Sequence, residues 1–184
     1  GFGVVNLNYP LCPEVTITEI VETLHVGIGH IVDYLKSKNF DQQIFLIGHS
    51  AGAHLSMHLS HNKALEGRLS GIIAISGVYE LGFIKEISVQ DDVHLSDNEV
   101  SSLDCLKFPP LQGVKYYIAA GGKEPSAWID QSWIMTELLL KRGDDVKFHV
   151  CADAHHFNLV DHLCDGNHLD GMILKDWLNN KFDG

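Results

Sequence analysis

Leu46-Ile47-Gly48-His49-Ser50-Ala51-Gly52-Ala53-His54-Leu55 is the stretch on which the reading of this chain turns. The apolar run Ile44-Phe45-Leu46-Ile47 leads into Gly48-His49-Ser50-Ala51-Gly52, and a helix-compatible segment, Ala53 to Leu59, follows. G-x-S-x-G between a buried-strand pattern and a helix pattern is the context of a nucleophile elbow. The serine must sit on a tight turn so that its oxygen projects above the sheet, and the residues around it must be small because backbone presses against backbone. The helix begins directly after Ser50, so its free N–H groups and positive end face charge developing on a substrate carbonyl.

Outward from the elbow, the chain alternates strand and helix patterns. Upstream, Phe2 to Tyr9 alternates around Val4, Val5 and Leu7 and reads as a short strand ended by Pro10 and Pro13. Thr16-Ile17-Thr18-Glu19 is a capping box, with Thr16 as N-cap. Ile17, Ile20, Val21, Leu24, Ile28, Ile31, Val32 and Leu35 then recur at helical spacing, and Gly27 and Gly29 within that helix suit close packing against a strand. Gln43 to Ile47 is a second strand, Ser50 to about His61 a helix, and Gly71 to Ser76 a continuous apolar run fit for a strand covered on both faces. Residues 78–110 carry scattered acids and end in Pro109-Pro110; they read as an excursion of short helices and loops over the end of the sheet, either a pocket-covering segment or only a surface connection. Val114 to Ala119 (strand), Ala127 to about Arg142 (helix), Val146 to Val150 (strand) and Leu169 to about Phe182 (helix) complete the series. The expected architecture is a single α/β domain over residues 1–184, with a mostly parallel sheet and helices on both faces.

Composition narrows the function. The 184 residues are 45% hydrophobic and 20% charged, enough for a proper core. The formal net charge is -11 and no Lys/Arg stripe forms, which argues against nucleic acid and anionic membrane surfaces. No apolar run approaches membrane-spanning length. Cys12, Cys105, Cys151 and Cys164 are widely spaced without a C-x-x-C, which points to a reduced, cytoplasmic protein.

A serine hydroxyl needs a base beside it, and the base needs an orienting carboxylate. In an open parallel sheet such groups collect at the carboxyl ends of the strands. Ser50, Glu124 and His156 each follow a strand, in the chain order serine, acid, histidine of an α/β-hydrolase. Asp153 competes with Glu124 for the acid, and His155 with His156 for the base; Asp130 falls within the following helix. His49 is expected to support the elbow or line the pocket. His54, His58 and His61 recur at i, i+4, i+7, a spacing that could hold a metal, but no Glu or Cys completes a site there and packing or solvent exposure is the expectation. The triad chemistry calls for no cofactor and no metal.

These residues also carry a resemblance. Gly48 to Leu55 resembles the elbow of kynurenine formamidases (arylformamidases), serine hydrolases of the α/β-hydrolase superfamily. The likeness continues through Leu69 to Leu81, with its Ser76-Gly77-Val78 turn, through Gln131-Ser132, and through the His156-Phe157 step. It implies Ser50 as nucleophile, Glu124 as acid and His156 as base, although the family usually carries Asp where Glu124 stands. It implies hydrolysis of N-formyl-L-kynurenine to L-kynurenine and formate, a step of tryptophan degradation, without a cofactor. A general carboxylesterase with the same triad and a non-catalytic hydrolase-like binding protein are the alternatives.

The family also has an upstream His-Gly-Gly segment whose N–H groups make most of the oxyanion hole. This sequence has none, which leaves the backbone N–H of Ala51; one lost donor costs about a hundredfold or more in rate. The expectation is a partial hydrolase domain lacking its N-terminal strands. The expected partner is a small-molecule substrate, with neither nucleic acid nor a membrane, and a homodimer is left open.

Overall fold

A computed structural model describes residues 3–40 and 43–179. Four strands form one sheet in the order β1-β2-β3-β4: β1 Ile44–His49, β2 Leu69–Ile75, β3 Lys115–Gly121 and β4 Asp145–Cys151. β2 and β3 pair in parallel with Ile73 opposite Tyr117, and β3 and β4 in parallel with Ala119 opposite His149. The helices are α1 Ile17–Ser37, α2 Ala51–Leu59, α3 Gln90–Val93, α4 Asp97–Ser102, α5 Ser126–Lys141, α6 Leu159–Cys164 and α7 Leu169–Asn179. The alternation of strand and helix that the sequence predicts is therefore observed, with boundaries shifted by a residue or two. The last three residues of the expected Leu169–Phe182 helix lie outside the described residues. Helix α6 is an addition: the sequence reading left residues 158–168 without an element, yet Leu159 and Leu163, four apart, are both buried.

One expectation fails. Among the described residues, 3–9 form no strand, and Val4 and Val5 stand exposed. Alternation marks a segment suited to a sheet surface, but a strand forms only where its N–H and C=O groups meet a ladder partner. The expected tight packing at the α1 glycines is also limited. A Cβ on Gly27 would only touch Leu7, at 3.5 Å, and one on Gly29 would meet nothing within 4 Å.

The chain divides into two compact units. The first comprises Gly1–Ile44, Met57–Ser70 and Glu80–Leu111. Its α1 starts at the predicted capping box, with Thr16 Oγ1 accepting from Glu19 N and Glu19 Oε2 accepting from Thr16 N. Ile20, Val21, Leu24, Ile28 and Val32 are the buried stripe. A second capping box, Ser96 with Glu99, opens α4, and the nearly buried Glu99 also accepts from Thr18 N, which fastens α4 to the start of α1. Residues 78–110 are the short helices and loops expected, including a 3₁₀ turn at Leu81–Glu86.

The second unit comprises Phe45–Ser56, Gly71–Tyr79 and Gln112–Gly184. Ile73, Ile75, Tyr117 and Ala119, alternate residues of β2 and β3, form one core with Leu159 and Leu163 of α6. Ile173, Leu174, Trp177 and Leu178 of α7 pack against it. β2 and β3 are almost wholly buried, as their continuous apolar runs require. No helix among the described residues is long and apolar enough to cross a membrane.

Candidate active site

Ser50 lies between the end of β1 and the start of α2 with φ of 55°. This left-handed conformation is sparsely populated for a residue with a Cβ and concentrates at functional sites. The turn is held by Ser50 N donating to Ile75 O at 2.9 Å and by Ala53 N donating to Ser50 O at 3.1 Å. Gly48 makes it possible: a Cβ there would stand 2.0 Å from Gly52 O. A Cβ on Gly52 itself would meet nothing within 4 Å, so of the two glycines of the motif only the first is demanded by packing.

The loops after β3 and β4 are brought together by the same device. A Cβ on Gly121 would lie 2.7 Å from Ala154 O, and one on Gly122 would lie 2.7 Å from Ala152 O. Gly122 N donates to Cys151 O and Lys123 N to Ala154 O, both at 2.9 Å. This docking carries Glu124 to His156, whose Nδ1 lies 2.6 Å from Glu124 Oε1. The Glu124 side chain is fully buried, and its Oε2 accepts from Gly121 N at 2.6 Å. Burial acts to raise the Glu124 carboxyl, but the bonds from His156, Ser76 and Gly121 N–H outweigh it and hold the group below its ordinary value of 4.5.

Ser76, at the end of β2, is the residue that the sequence reading missed. It is completely buried, has φ of 46°, donates its hydroxyl to Glu124 Oε1, and lies 2.8 Å from His156 Nδ1. The available signal was a polar residue closing an apolar strand beside a glycine, in Ile75-Ser76-Gly77. Gln131 of α5 steadies the same turn by accepting from Tyr79 N at 2.7 Å.

The rival residues are placed elsewhere. Asp153 is exposed and pairs with Lys123 at 3.1 Å. Asp130 is exposed on α5. His155 is exposed, and its Nδ1 accepts from Phe157 N at 3.2 Å within its own loop. His49 Nε2 meets His156 O at 2.9 Å, and the two rings are 4.6 Å apart. Burial, followed by the neighbouring His156, pushes the His49 imidazole below its usual value, so Nε2 is the donor of a neutral ring. Trp128 of α5 also stands 4.6 Å from the His156 ring, and Phe157 5.3 Å from it at 89°. Of the α2 histidines, His58 Nε2 meets Leu103 O at 2.7 Å, and His61 Nε2 meets Pro109 O at 3.0 Å.

Neither Ser50 Oγ nor His156 Nε2 has a hydrogen-bond partner among the described residues. Ala51, the first residue of α2, is exposed, and its N–H likewise has no partner among them.

A family model described as the α/β-hydrolase fold matches residues 1–104. Among curated proteins, the chain is similar to the kynurenine formamidase of Drosophila melanogaster, 24% identical over 174 residues, covering 88% of this chain and 58% of that protein. It is similar to the kynurenine formamidase of Danio rerio, 24% identical over 184 residues, covering 95% of this chain and 61% of that protein. The chain thus spans about three fifths of the length of the curated relatives it matches. Among solved structures, the acetyl ester-xyloside bifunctional hydrolase of Caldicellulosiruptor lactoaceticus superposes with a TM-score of 0.70 at 15% identity, covering 93% of this chain and 67% of that one. At that identity the superposition speaks for the fold alone. The parallel sheet, the left-handed serine between β1 and α2, and a family match over more than half of the residues lead to one conclusion: the chain belongs to the α/β-hydrolase fold family.

Proposed function

We propose that the chain is a serine hydrolase of the kynurenine formamidase type, acting on N-formyl-L-kynurenine in a reduced, cytoplasmic setting. The observation that carries this reading is the 2.6 Å bond between His156 Nδ1 and the buried Glu124 carboxylate. The carboxylate fixes the tautomer with hydrogen on Nδ1, which leaves the lone pair on Nε2 to act as base. His156 Nε2 takes the proton of Ser50 as Ser50 Oγ attacks the formyl carbon. The Ala51 N–H, at the positive end of α2, donates to the oxyanion. The imidazolium then protonates the aryl amine, the C–N bond breaks, and water activated by His156 releases formate from the formyl-serine. Catalytic hydrogen bonds at such sites commonly tighten only once substrate is bound, which accords with the unpartnered Ser50 Oγ. Trp128 and Phe157 both stand against the His156 ring, and we assign them to the aryl group of the leaving amine. The four cysteines are free thiols, in keeping with that compartment.

A fluorophosphonate probe and a substrate comparison test this together. Labelling of wild-type protein and its loss in Ser50→Ala, with turnover of N-formyl-L-kynurenine exceeding that of a short p-nitrophenyl ester, is the expected result. Labelling with preferential ester turnover would make the protein a carboxylesterase. An unlabelled serine would make it a binding protein.

A further inference from the structure

A second cluster of titratable side chains lies within the second unit, apart from the residues of the proposed triad. Asp170, in the first turn of α7, is 7% exposed and faces three histidines. His149 Nε2 of β4 lies 2.7 Å from its Oδ1. His162 Nδ1 of α6 and His168 Nδ1, just before α7, each lie 3.3 Å from its Oδ2. The two imidazoles are themselves 4.1 Å apart. The α6–α7 turn is built for this approach, because a Cβ on Gly171 would stand 2.1 Å from Asp165 O.

Two kinds of distance occur here, and they mean different things. The 2.7 Å contact from His149 is the length of a charge-assisted hydrogen bond. The two 3.3 Å contacts are too long for that. A tetrahedral zinc ion with bonds of about 2.0–2.1 Å separates neighbouring ligand atoms by about 3.3–3.4 Å, which matches both contacts. His168 Nδ1 accepts from Asp170 N at 3.3 Å, so this nitrogen carries no hydrogen, and an ion would take its lone pair over from that long contact. The ligand atoms of His162, His168 and Asp170 all lie within 4.8 Å of one another, close enough to share one ion. His162 Nε2 is 3.5 Å from the Asn158 amide, too far for that contact to fix the opposite tautomer.

We propose that His162 Nδ1, His168 Nδ1 and Asp170 Oδ2 form a binding site for a divalent first-row metal ion of the zinc class, with His149 holding the carboxylate by its other oxygen. Imidazole and carboxylate ligands suit such an ion. The arrangement of a ligating carboxylate fixed by an outer histidine is the support that metal sites ordinarily carry. Solvent completes the fourth position, reached past the His168 side chain, which is 39% exposed. The consequence is structural. The ion ties α6 to α7 immediately after the loop that carries His156, and Asn158 Oδ1 already accepts from His155 N in that loop at 2.7 Å. The sequence motif is His162-x5-His168-x-Asp170.

Zinc titration of the metal-stripped full chain against a chromophoric chelator tests the site, together with thermal unfolding with and without excess zinc. One equivalent is expected to bind, and zinc at a hundred times its dissociation constant should raise Tm by about 5–10 °C. Affinity should fall more than about a hundredfold in His162→Gln and in His168→Gln, and about ten- to a hundredfold in His149→Gln. His168 is the most exposed of the three, so His168→Gln keeps the fold testable, and its circular dichroism should match wild type. Cobalt(II) in place of zinc should give the intense visible bands of a tetrahedral N/O site. Failure to bind at micromolar free zinc, or unchanged affinity in both ligand variants, would overturn the proposal. Neither outcome bears on Ser50 labelling, which tests the hydrolase reading separately.

Discussion

Ser76 Oγ and His156 Nδ1 converge on a single oxygen, Oε1 of Glu124. The serine that closes β2 thus acts on the base through the acid, and its left-handed backbone is what aims the hydroxyl. A fully buried carboxylate keeps its charge only when its lone pairs are met by donors, and Ser76 supplies one of them.

Ser76→Ala should therefore cost activity without removing any group that touches the substrate. A hydrogen bond to a charged group contributes about 1.5–3 kcal/mol, so kcat/KM for the formamide should fall about ten- to a hundredfold. The acid limb of the pH profile should move upward, because the Glu124 carboxyl loses one of the bonds that depress it. Unchanged kcat/KM with only a lower Tm would show that the hydroxyl merely fills space.

The two glycines of the elbow should respond in opposite directions. Gly48→Ala drives a Cβ into Gly52 O and should destabilise the fold by about 3 kcal/mol or more, since both sides of the clash are backbone. Gly52→Ala meets open space inside α2 and should stabilise by up to about 1 kcal/mol through helix propensity. Urea midpoints of the two variants decide this, and equal losses at both positions would contradict the geometry.

Stability should decline as pH falls below about 6.5. His25, His49 and His58 are each pushed below their ordinary value of 6.5, in every case chiefly by burial. The unfolded chain then binds protons that the folded chain does not, so stability rises with pH across this window and is lost as pH falls through it. Urea unfolding from pH 7.5 to 5.5 should show that slope, and His58→Gln should reduce it. A slope unaltered in His58→Gln would place the titration elsewhere.

Much of the fold was legible in the residues themselves. The capping box at Thr16 and Glu19, the helical stripe from Ile20 to Val32, and the apolar runs that became β2 and β3 are local patterns, and local patterns are written in sequence spacing. The elbow was legible for the same reason, as was the chain order of Ser50, Glu124 and His156 after β1, β3 and β4. Residues 3–9 misled because alternation records suitability for a sheet and not the presence of a neighbour. What only the tertiary structure decided was convergence. Glu124 meets His156, and Asp153 does not, because Gly121 and Gly122 dock their loop onto the carbonyls of Ala152 and Ala154. Ser76 lies 48 residues from Glu124, and His149 lies 21 from Asp170, separations at which no periodicity links one side chain to another. Sequence spacing fixes which face of an element a residue occupies; which residue stands opposite is set by how loops close and backbones approach.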